Sequence, residues 1–370
     1  MRRLFTMSMA LGPALALVGA LALPALARPD AAGLKAQTGT WRMIRTAGTA
    51  SGYGLINGSL GRIWVGNGTG VQSITPKTSK VTNYKIKNFG GKVSYFEGNI
   101  ATDNNGNVWL IGSIDHNLAS VIVRFNPRTG QATRFNFPKS CTGFTVQSGT
   151  RHIYGSSDKH IWVLCDNGVI DRFASSGHST LIKPLAGGWT YYSELTQGAK
   201  GTMWGVVFNN NLGSYGLAKV TPGGVRTVYK DPAGITSQIV VGNGTGKVDD
   251  VAACGSSKTC VNSVASNGKL KHIANYPWAN NLIGEGYALS STGVFWAIDV
   301  NPNAPLATNA TYLLSVTPAG KAAIFLLKYP KPNNTYLDSV TGNPVVSGGS
   351  VYWEVSYPNT GQTFKFTPRR

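Results

Sequence analysis

The sequence predicts an all-β chain folded as a seven-bladed propeller of four-stranded antiparallel blades. Three observations predict it: a recurring apolar-Trp run, a second recurring run ending in a turn, and a leftover strand at the N-terminus. Helical periodicity is absent beyond the first 27 residues, and short alternating runs separated by Gly, Pro, Asn and Ser turns fill the rest, as antiparallel strands require.

The apolar-Trp run appears as RIWV at Trp64, NVWL at Trp109, HIWV at Trp162, TMWG at Trp204, VFWA at Trp296 and VYWE at Trp353. The interval from Trp204 to Trp296 is about twice the others, which places a Trp-less unit at GKVDDVAAC, residues 246–254. The second marker agrees: SITPKTSK, RFNPRTGQ, RFASSGHS, KVTPGGVR, SVASNGKL, SVTPAGKA and KFTPRR make seven. Such a unit buries its apolar face only by stacking on neighbours around an axis. The Trp residues therefore read as packing between blades. The seventh unit ends without an outer strand, whereas TGTWRMIRT (38–46) precedes the first blade and matches TGQATRF of the second. The N-terminal strand is thus expected to complete the last blade and remove an open edge.

Residues 1–27 read as an export signal: Arg2 and Arg3, an Ala/Leu-rich stretch, then Ala25-Leu26-Ala27. The expected organisation is signal peptide 1–27, a short extension 28–37 and one propeller over 38–370, periplasmic or secreted and monomeric, with no membrane anchor after cleavage. Without Arg2 and Arg3, 32 Lys and Arg face 15 Asp and Glu, about +17 with no dense basic block. This basic balance leaves attraction to an anionic polymer open. With no basic helix or RNA-binding motif, a nucleic-acid partner is not expected. Of three possible cysteine pairings, Cys254 with Cys260 across the turn-like GSSKT is preferred, leaving Cys141 with Cys165.

Segments entering each blade should line the central channel. Counting ten residues back from each Trp gives a mostly polar column: Gly54, Asn99, His152, Glu194, Gly286 and Asn343, with Glu97, Tyr191, Tyr192 and Glu285 beside it. His152, Glu194 and Glu285 are the candidate catalytic residues; a His serves as acid or base, and a carboxylate orients it or holds a metal. Glu97, Asn99, Tyr191, Tyr192 and Asp299 are the candidate ligand-binding set at the channel mouth. The loops within IGSIDHNLAS, FNNNLGSYG and DVNPNAPLATNAT join the same pair of strands, so they should share one face. Asp103 in ATDNNGNVW reads as turn chemistry rather than a calcium ligand.

Units such as NGNVWL followed by VIVRFNPRTGQATRFNFP resemble the strand pattern of virginiamycin B (streptogramin B) lyases and their wider propeller relatives, over essentially the whole mature chain. The resemblance implies the seven-bladed fold and, were activity shared, a magnesium-assisted elimination that breaks a C–O bond and opens a cyclic depsipeptide. Members of that family commonly carry a carboxylate three residues after the Trp. Here those positions are Asn67, Gly112, Cys165, Val207, Asp299 and Ser356, so only Asp299 keeps an acid. The blade motif is shared by non-enzymatic propellers. The leading expectation is therefore a ligand-binding or interaction module for a small molecule, peptide or anionic polymer, with a lyase using His152, Glu194 and Glu285 or Asp299 as the rival.

Overall fold

The computed structural model describes residues 39–45, 55–58, 61–66, 70–86, 93–114, 119–137, 139–141, 153–255, 259–275, 286–300, 310–328, 339–357 and 360–369. The side chains of some of these, among them Glu97, Asn99 and Asp299, lie outside the description, as do the whole residues His152 and Glu285 and the expected signal segment.

Seven antiparallel sheets follow one another along the chain. Their innermost strands are Leu55–Asn57, Val93–Thr102, Ile153–Gly155, Trp189–Tyr191 with Thr196–Gln197, Ile235–Gly242, Gly286–Leu289 and Ser339–Ser347. Blades 1 to 6 each run inner to outer in chain order. Blade 7 takes its outer strand from the N-terminus: Gly39–Arg45 pairs antiparallel with Thr360–Pro368, Gly39 opposite Pro368 and Arg45 opposite Gln362. The ring is closed by joining the two ends of the chain, as the leftover strand predicts.

The Trp column packs blade against blade. Trp64 clusters with Ile100 and Val108 of blade 2, Trp109 with Ile153 and Ile161 of blade 3, and Trp162 with Leu195 and Met203 of blade 4. Trp204 meets Val240 and Val248 of blade 5, and Trp296 meets Val351 and Phe366 of blade 7. Each covers the next blade with a large aromatic, burying in one position the area that a repeat cannot bury alone.

Two positions depart from the pattern. In blade 5 the residue in register with the other Trp side chains is Asp249, opposite Ser263 as Trp296 is opposite Ser315. In blade 7 the column residue is Tyr352 rather than Trp353, which corrects the sequence alignment: Tyr352 stands opposite Lys365 as Trp204 stands opposite Lys219. Tyr352 faces blade 1, clustering with Leu55, Ile63 and Ile74, whereas Trp353 faces back toward blade 6 with Trp296 and Phe325. The cause is a tight hairpin, Ser347 pairing with Ser350 around Gly348 (φ 57°) and Gly349 (φ 74°), which leaves Val345 seven residues before its partner Tyr352 where other blades space that pair by eight.

Both disulfides follow the preferred pairing. Cys254–Cys260 links the second and third strands of blade 5, Cα atoms 6.0 Å apart, and Cys141–Cys165 ties the segment after blade 2 to blade 3 at 5.4 Å. Antiparallel order places the links between blades and every second-to-third turn on one face, and the first-to-second turns on the other.

Candidate functional site

Bulges in the inner strands build the site. Between paired Glu97 and Ala101, and between Thr341 and Val345, three residues oppose one on the neighbouring strand. In blade 4, residues 192–195 stand out of the ladder between Tyr191, opposite Val207, and Thr196, opposite Trp204. In blade 5 Gln238 is the extra residue between Ser237 and Ile239. Bulges re-aim side chains, and Asn99, Glu194, Asn343 and Gln238 each occupy one. Of the polar column read from the sequence, Asn99, Glu194 and Asn343 thus occupy bulges, whereas Gly286 pairs regularly with Ile298 and Gly54 and His152 lie outside the described residues.

Two of its members meet across the axis. Asn343 of blade 7 donates from Nδ2 to Glu194 Oε2 of blade 4 at 3.4 Å, while its Oδ1 accepts from the Tyr287 backbone N–H of blade 6 at 3.2 Å. Asn57 donates to Val346 O at 2.9 Å, and Thr196 Oγ1 accepts from Gly242 N–H at 2.7 Å, so blades 1 and 7, and 4 and 5, are also joined here. Gly242 is obligatory at this junction because a Cβ would strike Gln197 O. Tyr154 lies on the far side of Glu194. Burial first, and the nearby Glu194 charge second, push its phenol well above the usual range, so it stays neutral.

This level is a waist between two chambers. The larger, about 1540 Å³, opens toward the second-to-third turns and is walled by Trp189, Tyr191, Tyr192, Tyr215 and Tyr287, with Cys165 and Asn211 on its rim. The smaller, about 510 Å³, lies toward the first-to-second turns, beside Asp103, Tyr154 and Ser157. Asn57, Glu194, Gln197 and Asn343 line both. Blade 4 supplies an aromatic lip to the larger chamber. Tyr192, 59% exposed, packs edge-on to Tyr215 at 5.1 Å between ring centres, and Tyr215 lies 4.7 Å from Phe208. Burial raises the Tyr191 phenol as well, offset in part by the Arg226 charge. The Cys141–Cys165 bridge and the bond from Asn167 Nδ2 to Ser140 O, 2.7 Å, fasten the rim beside it.

The structure therefore brings together Tyr191, Tyr192 and Glu194 of the expected set. Asn99, Glu97 and Asp299 are placed only by backbone register, Asp299 opposite Tyr312, and His152 and Glu285 lie outside the described residues. Sequence reasoning missed Trp189, Tyr215, Tyr287, Tyr154 and Gln238. A clustering of aromatics in blade 4, WTYY followed by SYG, was the available signal. Among the described residues no group of three or more His, Cys, Asp or Glu side chains stands close enough to hold a metal ion. Asp103 is occupied as a turn acceptor: Oδ1 takes the N–H groups of Asn105 (2.9 Å) and Asn107 (3.0 Å), and Oδ2 takes Asn107 Nδ2 and Trp109 Nε1, both at 2.9 Å.

No family model and no curated protein matches this sequence. Solved structures do match in fold. YCF48 bound to D1 peptide has a TM-score of 0.55 at 12% identity, over 93% of this chain and 100% of that one. The extracellular domains of two putative hybrid two-component systems from B. thetaiotaomicron, BT4673 and BT3049, give TM-scores of 0.53 and 0.51 at 14% identity, each over 88% of this chain. This chain spans only 40% and 41% of those two domains. At such identities the likeness is one of fold: the protein is a seven-bladed propeller. The propeller part of the lyase resemblance holds; a likeness of fold at such identities does not bear on its lyase part.

Proposed function

We propose that the protein is an exported binding module that holds an extended, peptide-like ligand in the larger chamber, against the aromatic lip of blade 4. The observation that carries this reading is the chamber itself. Its volume of about 1540 Å³ exceeds the roughly 300–1,000 Å³ typical of small-molecule sites, and it presents Glu194 and Asn343 at the waist, aromatic rings above them and the polar Asp166, Asn167 and Asn211 on the rim. That division suits a chain whose backbone or end reaches Glu194 and Asn343 while its side chains lie on Tyr192 and Tyr215. The fold neighbour YCF48 was solved with a peptide bound, which supports a peptide over other extended ligands. The signal-like sequence of residues 1–27 and the two disulfides support the exported compartment.

A test is selection of heptapeptides from a random display library on the wild-type chain, with counter-selection on a Tyr192→Ala/Tyr215→Ala variant. Peptides that bind the wild type and lose about tenfold or more in affinity to the variant are expected, with hydrogen-exchange protection confined to 187–197 and 209–215. Failure to select any peptide that discriminates the two proteins refutes the reading.

A further inference from the structure

Resting on that binding site, we propose that the chamber recognises an organic cation: the ligand enters with an ammonium group directed at the waist. The sign of the lining carries this. The chain has 34 Lys and Arg against 15 Asp and Glu. Yet among the described residues the walls of both chambers hold Asp103, Asp166 and Glu194 and not a single Lys or Arg. In a molecule with this surplus of positive charge, an anionic ligand would be met by at least one basic side chain. Among the described residues the arrangement keeps them out of the channel. Arg226, whose charge reaches Tyr191, is turned onto backbone, donating to Lys183 O at 2.8 Å and to Pro184 O.

The remaining chemistry points the same way. Five aromatic residues, Trp189, Tyr191, Tyr192, Tyr215 and Tyr287, wall the larger chamber. Ring faces attract cations through the negative face of their quadrupole, more strongly the less water reaches them. Tyr154 and Tyr191 are held neutral by burial, so they present phenols and ring faces rather than phenolates. Gln238, projected into the larger chamber by its bulge, has a buried Oε1 with no donor among the described residues. A carboxylate, a buried carbonyl oxygen and aromatic faces are all electron-rich. An ammonium group supplies three donors and no acceptor, which is the complement of that set. The high net positive charge outside suppresses cation binding elsewhere on the surface, so occupancy by a cation reports on the chamber.

The test uses the full mature chain and five probes followed by calorimetry and tryptophan fluorescence. Ala-Ala-Ala-amide offers an N-terminal ammonium, N-acetyl-Ala-Lys-Ala-amide a side-chain ammonium, and spermidine a polyamine. N-acetyl-Ala-Ala-Ala-amide is neutral and N-acetyl-Ala-Glu-Ala-amide is anionic. Saturable binding of at least one cationic probe is expected, with about tenfold or greater weakening in Glu194→Gln, which removes the charged hydrogen-bond partner. Asp166→Asn serves as a second variant at an exposed position, should Glu194→Gln melt well below the wild type. The inference fails if the neutral or anionic peptide binds as tightly as the cations, if both carboxylate variants leave cation binding unchanged, or if no cationic probe saturates at millimolar concentration. Library-selected peptides that need Tyr192 and Tyr215 but carry no cationic group would leave the binding module standing and remove only the charge selectivity.

Discussion

Asp249 shows what one residue does when it replaces a repeat's packing side chain. It sits where the other blades carry Trp or Tyr, and only 5% of its surface is exposed. Burial pushes its carboxyl from 3.8 up to about 7, with Lys247 pulling the other way. Asp250 beside it is raised to about 7 for the same first reason, though Asn262 donates to its Oδ2 at 3.0 Å. The sign follows from linkage: a carboxyl whose folded pKa is raised ionises first in the unfolded chain, so stability is fully present below 3.8 and drains away as pH rises toward 7. Asp249→Asn should flatten that slope. At pH above 7 the variant should be more stable than the wild type, by on the order of 2–3 kcal/mol, and the two should converge at pH below 4. Urea unfolding across this range checks it; equal slopes for both proteins would show that Asp249 does not titrate as its burial requires.

At the scale of the strand pair, the first hairpin of blade 2 hangs on one carboxylate. Asp103 accepts four hydrogen bonds, from Asn105, Asn107 twice, and the fully buried Trp109 indole. Asp103→Ala would leave Trp109 Nε1 buried without its acceptor, at a cost of about 2–4 kcal/mol, read as a lowered urea midpoint with an unchanged slope; a loss below about 0.5 kcal/mol would contradict the role given to that turn. Elements of this kind were legible in the sequence because turn chemistry is local. The blade 7 register was not, because the shortening of its hairpin by one residue is masked by two adjacent aromatics, Tyr352 and Trp353. The alignment error nonetheless left Asn343 in the right column, since Asn343 precedes Val345 by two residues as Glu194 precedes Thr196. The chamber was legible only in Glu194, Asn343, Tyr191 and Tyr192. Its other walls, Tyr287 and Gln238 among them, come from separate blades, and the bulge that aims Gln238 leaves no periodic trace.

For the whole molecule, closure converts seven marginal sheets into one ring. Each blade buries its faces against two neighbours, so a breach at any junction exposes two faces and an edge. The breach most easily made is at the seam. The seven residue pairs from Gly39 opposite Pro368 to Arg45 opposite Gln362 hold the two ends of the chain together. Ile44, 5% exposed, belongs to the cluster of Tyr352, Leu55 and Ile63 that joins blade 7 to blade 1. Beginning the chain at residue 47 instead of 28 deletes this strand and uncovers the strand Thr360–Pro368 as an open edge bearing Phe364 and Phe366. Melting should then become lower and broader, with a calorimetric enthalpy exceeding the van't Hoff value as blades unfold out of step. Ile44→Asp keeps the strand but buries a charge in that cluster, and should lower stability by about 3 kcal/mol or more while leaving the transition sharp. A truncated chain that melts as high and as sharply as residues 28–370 would mean that the other six junctions hold the ring without its seam.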